Sequence, residues 1–170
     1  ASDPELQSLI TKYDFGGKVK KVDGDYLQVN LDTYKATKSS ILIDQLYDLE
    51  TKINTQGQVK HELTINFKHK GRSDLRIHGL NRSWVRVMVP YGSQLLKATW
   101  QGEDITKQGI VFKESGKQVF LFKDLKIPKQ SVRELKVNYR SSELVGQDKK
   151  YKLYFQSQPG LINTKIKNTF

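Results

Sequence analysis

Between Ile41 and Phe67 the side chains change character at every second position, and this alternation limits what the chain can fold into. Tyr47, Leu49, Thr51 and Ile53 share one parity. Asn54-Thr55-Gln56-Gly57 supplies turn formers, and Val59, His61, Leu63, Ile65 and Phe67 alternate on the return. Wound into a helix, these residues would be scattered round its circumference; as two strands they line one face. The spacing predicts an antiparallel hairpin with one buried side, and with it a sheet protein.

Other short apolar runs repeat the theme. Trp84–Pro90 reads as a strand that Pro90 ends, since proline has no N–H for the ladder. Leu95–Trp100, Ile110–Lys113, Gln118–Phe122, Val132–Tyr139, Lys150–Gln156 and Leu161–Lys167 read as further strands, with a turn at Gln101-Gly102-Glu103-Asp104. Near the start, Lys18–Val22 and Tyr26–Asn30 read as a hairpin reversed at Asp23-Gly24-Asp25. Residues 31–39 and Lys68–Ser83 are polar and read as connections. One helix is expected: Asp3 caps it, Pro4 opens it, Leu6, Leu9, Ile10 and Tyr13 recur at helical spacing, and Gly16-Gly17 stops it.

About nine or ten strands, 8–15 residues apart with no helices between them, predict an all-β fold. The expected architecture is an antiparallel β-sandwich, immunoglobulin-like or Greek-key, with one short N-terminal helix; a barrel is the alternative. With 170 residues the chain can bury a core without staples, so residues 1–16 read as a helical lead-in and 17–170 as a single domain. Leu63, Ile65, Phe67 and Val87 are the expected core. No run approaches 18 apolar residues, so no membrane span is expected within the chain. It opens Ala1-Ser2-Asp3 without Met, which reads as an excerpt or processed product whose anchor lies elsewhere.

Residues able to do chemistry are sparse. With no cysteine there is no disulfide framework, thiolate metal site or cysteine nucleophile. The histidines are His61, His69 and His78; the first two lie roughly 26 Å apart along one strand at about 3.3 Å per residue, too far to share an ion. They are expected at the surface or a strand edge, and no metal or cofactor is expected. Asp23-Gly24-Asp25 with Asp32 suggests a calcium loop, but Tyr34 stands where an EF-hand places its bidentate glutamate. The serine-elbow, HExxH, Walker and GxGxxG patterns are all absent, and no catalytic residue is nominated. Trp84 and Trp100, on successive strands, are either a stacking platform for sugar rings or core aromatics. Asn81-Arg82-Ser83 is a formal glycosylation sequon.

Charge is the one feature that points outward. The first 50 residues hold 6 lysines against 9 acids, a balance of −3; the rest hold 23 Lys/Arg against 9, a balance of +14. Lys68, Lys70, Arg72, Arg76, Arg82 and Arg86 are the candidate contacts for a polyanion. Sequence-specific nucleic-acid binding is not expected, because no recognition helix, RNP-like strand or finger accompanies the charge.

Several strings occur in a telling order: Gly17-Lys-Val with Gly24-Asp25-Tyr26-Leu27, Gly57-Gln-Val-Lys-His-Glu-Leu-Thr-Ile65, Trp84-Val-Arg-Val-Met-Val-Pro-Tyr-Gly-Ser-Gln-Leu-Leu96, and Tyr154-Phe-Gln-Ser-Gln-Pro-Gly160. Over roughly residues 16–161 the chain resembles the C-terminal part of the bacterial domain-of-unknown-function family 4012. The resemblance implies envelope proteins of Gram-positive and related bacteria, with an extracytoplasmic body, and implies no activity. The expected role is a non-catalytic surface module that contacts an anionic wall polymer or another surface protein. Carbohydrate binding through an exposed tryptophan, or part of an envelope-acting enzyme, are the alternatives.

Overall fold

The computed structural model describes residues 3–12, 18–33, 38–72, 79–146, 150–158 and 164–169. Among these residues a helix, α1 (Pro4–Lys12), precedes eleven strands: β1 (Asp25–Thr33), β2 (Ile43–Ile53), β3 (Gln58–His69), β4 (Asn81–Pro90), β5 (Gln94–Trp100), β6 (Glu103–Asp104), β7 (Ile110–Glu114), β8 (Lys117–Ile127), β9 (Val132–Leu144), β10 (Leu153–Gln156) and β11 (Thr164–Thr169). They form two sheets, ordered β10-β1-β4-β8-β7 and β11-β2-β3-β9-β5-β6. The fold is an all-β sandwich.

Period-two alternation builds it. Leu27, Val29, Val85, Val87, Phe120 and Phe122 from the first sheet meet Tyr47, Leu49, Leu63, Ile65, Phe67 and Val137 from the second in one core. Leu63, Ile65, Phe67 and Val87 are each wholly buried, as the parity predicts. The β2–β3 hairpin pairs Ile43 with His69 through to Ile53 with Val59. Its turn places Gly57 at φ +75°, which a side chain resists. At the helix, Asp3 Oδ1 accepts the N–H groups of Glu5 (2.8 Å) and Leu6 (3.3 Å), the expected acidic cap.

The strand arrangement departs from the sequence reading in several places. Lys18–Val22 and Tyr26–Asn30 do not form a hairpin, because both edges of β1 are already taken, by β4 and by β10. Lys18–Val22 instead straps the outer face of the first sheet. Lys20 N–H donates to Gln156 Oε1 (3.1 Å), Gln156 Nε2 donates to the Lys18 carbonyl (2.9 Å), and Val19 and Val22 pack on Tyr26, Met88 and Val119. The sheets are mixed: β1 runs parallel to β10 and β2 parallel to β11. Those partners arrive from the opposite sheet, not through a tight turn, so nothing forces them antiparallel. Finally, the polar stretches at 31–39 and 68–83 are partly strand: β1 continues to Thr33, β3 to His69, and β4 begins at Asn81. Gly16-Gly17 lies outside the described residues.

Candidate functional site

The five described candidate cations fall on two opposite faces. Lys68 leaves the outer face of β3, and with Lys70, Arg72, His69, Ser131 and Val132 it lines a cavity of about 390 Å³ at one end of the second sheet. Lys70 Nζ lies 2.7 Å from Asp44 Oδ1. Arg82 and Arg86 stand on the outer face of the first sheet, held by carboxylates. Arg82 donates Nε and Nη2 to Asp124 at 2.6 and 2.7 Å, while Arg86 has Nε 2.8 Å from Asp32 and Nη1 3.2 Å from Glu114. The forked Arg82–Asp124 pair fixes that guanidinium in place. Arg76 lies outside the described residues.

The tryptophans also separate. Trp100 packs on the core, its ring centroid 6.2 Å from that of Phe67. Trp84 is half-buried on the outer face of the first sheet, with Lys123 Nζ 5.0 Å from its ring centroid. Asn81 of the sequon is wholly buried and donates Nδ2–H to Ser39 Oγ at 2.9 Å, so it is closed to glycosylation in the fold.

His61 and His69 are 2% and 1% exposed, which overturns their expected place at the surface or a strand edge. Both share the inward parity of Leu63, Ile65 and Phe67, and each is held by partners that make burial affordable. His69 Nδ1 accepts the Gly71 N–H (3.0 Å), which leaves Nε2–H to donate to the Gly79 carbonyl at 2.8 Å. His78 lies outside the described residues.

Around His61 a polar network joins the two sheets. Asp25 opens β1 in the first sheet, and its Oδ2 lies 2.8 Å from His61 Nε2 in β3 of the second; both side chains are fully buried. Tyr151 O–H donates to the same Asp25 oxygen at 2.9 Å, Tyr26 N–H donates to Oδ1 at 2.8 Å, and His61 Nδ1 meets Thr51 Oγ1 at 3.1 Å. Tyr139 stacks on the imidazole with centroids 4.8 Å apart. Burial pushes the Tyr139 and Tyr151 hydroxyls up, Asp25 adding to the effect, so both stay protonated. A neighbouring cavity of about 250 Å³ is lined by Asp23, Asp25, Glu143, Lys150, Tyr151 and Lys152. Burial, then Asp25 and Asp23, raises the Glu143 carboxyl. An Asp–His pair can orient a general base, but here both imidazole nitrogens are engaged and neither is exposed. Among the described residues, no three His, Asp or Glu side chains group as metal ligands.

The outer face of the first sheet carries a third feature. Three cross-strand pairs follow one another along β1 and β4: Gln28 with Met88, Asn30 with Arg86, Asp32 with Trp84. Directly opposed residues of an antiparallel pair point to the same side. Together with Lys18, Val19, Glu114, Ser115 and Gln158, five of these six residues line a groove of about 650 Å³, and the sixth, Trp84, stands beside it. The alternation of Gln28, Asn30 and Asp32 with Leu27, Val29 and Leu31 was the sequence signal for this face. The Asp25–His61 pair left none beyond His61's inward parity.

No family model matches the chain, and no curated protein matches it. Among solved structures, an M1 zinc metallopeptidase from Deinococcus radiodurans is similar at 14% identity and a TM-score of 0.38, covering 69% of this chain and 22% of that one. A protein described as nutrient-binding, from Legionella pneumophila, is similar at 10% identity and a TM-score of 0.45, covering 69% of this chain and 43% of that one. The chain thus spans about a fifth of the metallopeptidase. Neither likeness carries an argument about activity.

Proposed function

We propose that the chain is a non-catalytic, extracytoplasmic β-sandwich module of a bacterial surface protein, akin to the domain-of-unknown-function family 4012, that contacts an anionic wall polymer. The observation that carries this reading is the convergence of Lys68, Lys70 and Arg72 on one cavity at the end of β3. Arg82 and Arg86 are committed to carboxylates on the far sheet and contribute less. An exposed pair such as Lys70–Asp44 is worth little and yields to a denser array of negative charge. The inaccessible nitrogens of His61 support a binding role over a catalytic one. Among the described residues no helix is long and apolar enough to cross a membrane.

The test is retention on immobilised teichoic acid as salt rises. Contact by counterion release gives retention at roughly 50 mM salt and elution by about 200 mM. Flow-through at low salt contradicts polyanion contact.

A further inference from the structure

We propose that the groove on the outer face of the first sheet binds a short, uncharged, hydroxyl-rich glycan. The inference rests on the reading of the chain as a binding module, but it uses the opposite face and a different chemistry. The groove offers a neutral balance of fixed charge: Asp32 and Glu114 against Arg86 and Lys18. A polyanion would meet two carboxylates there, whereas vicinal hydroxyls both donate and accept. Carboxylates, carboxamides and a guanidinium are the groups that match them.

The walls are held before any ligand arrives. Arg86 is fixed between Asp32 and Glu114. Gln158 accepts the Leu31 N–H (2.7 Å) and donates to the Leu31 carbonyl (3.3 Å), so it sits against β1 like a ladder rung. Gln28, 2% exposed, accepts the Tyr26 hydroxyl at 2.8 Å. Such preorganisation removes much of the ordering cost of binding.

Two buried atoms in this frame are left without a hydrogen bond: Arg86 Nε, whose tie to Asp32 is an ion pair only, and Asn30 Oδ1. Asn30 Oδ1 has no hydrogen-bond partner, and its Nδ2 meets only the Met88 sulfur at 3.6 Å, a weak acceptor. A small turn of the Asn30 amide would bring this oxygen to a ligand hydroxyl. Met88, 1% exposed beneath Val19 and Val22, closes the floor of the groove, and Trp84 stands opposite Asp32 on the same face.

The experiment is an NMR titration of isotope-labelled protein with chitotetraose, cellotetraose and mannotetraose, each to 10 mM, a ceiling of about the weakest affinity worth measuring. At least one should shift the amides of 28–32 and 84–88, equally at low and moderate salt, since an uncharged ligand is not screened. Asn30→Ala and, independently, Glu114→Gln should each weaken that binding roughly tenfold, about one hydrogen bond's worth, with unchanged spectra elsewhere. The two variants guard against a single misfolded one. Shifts from none of the three glycans, shifts centred on Lys68–Arg72, or binding unaffected by both variants would each overturn the proposal. Teichoic-acid retention surviving in Asn30→Ala shows that the groove failed without the basic end; loss of retention with glycan shifts intact shows the reverse.

Discussion

At the scale of single residues, Asp25 and His61 are the most consequential pair. Buried donors stripped of their acceptor are expensive, and Asp25→Ala, which leaves the Tyr151 hydroxyl, the Tyr26 N–H and His61 Nε2 without one, should cost about 3–5 kcal/mol in a denaturant melt. A cost below about 1 kcal/mol would mean that the network does not hold the sheets together. Glu143 supplies a pH-dependent counterpart. Its carboxyl is raised in the fold by burial and by Asp25 and Asp23, so ionisation is harder folded than unfolded. The native state therefore favours the protonated acid, and the benefit present at low pH is lost as pH rises through the raised value. Glu143→Gln should raise Tm at pH 7, and the gain should vanish as pH falls below the ordinary carboxylate range. A gain that grows on acidification would contradict the assignment.

At the scale of elements, the turns are set by backbone sign more than by composition. Ser115-Gly116 (φ +50° and +76°) joins β7 to β8 by a two-residue loop with both centres left-handed. Gly57 also has a positive φ, but a Cβ there would stand 2.1 Å from the Val145 carbonyl, whereas one on Gly116 meets nothing within 4 Å. Gly57→Ala should therefore cost more than the roughly 1 kcal/mol of left-handed strain expected for Gly116→Ala. Equal losses in parallel thermal melts would show that the chain just past β9 gives way at Val145. The β2–β3 hairpin was legible because local parity carries both burial and register. The pairing of β1 with β10 was not, since Leu153–Gln156 reaches Asp25–Gln28 from the far end of the chain. The Asp25–His61 contact, 36 residues apart and between sheets, was equally hidden. Inward parity alone gave His61's burial, and reading polarity as exposure missed it.

At the scale of the whole molecule, the net charge of +11 is less informative than where it sits. Arg82 and Arg86 are bound to carboxylates on one sheet, while Lys68, Lys70 and Arg72 gather at the end of the other. A long-range field that only keeps the protein soluble would respond to total charge. A contact surface would respond to position. The deciding measurement compares two triple variants of equal charge change on immobilised teichoic acid at low salt. One is Lys68→Glu, Lys70→Glu, Arg72→Glu; the other is Lys107→Glu, Lys113→Glu, Lys126→Glu, at exposed sites elsewhere. The first should flow through while the second is retained, both melting within a few degrees of the parent, as surface changes usually do. Identical elution of the two variants would contradict the account, leaving the basic surface as a solubility device.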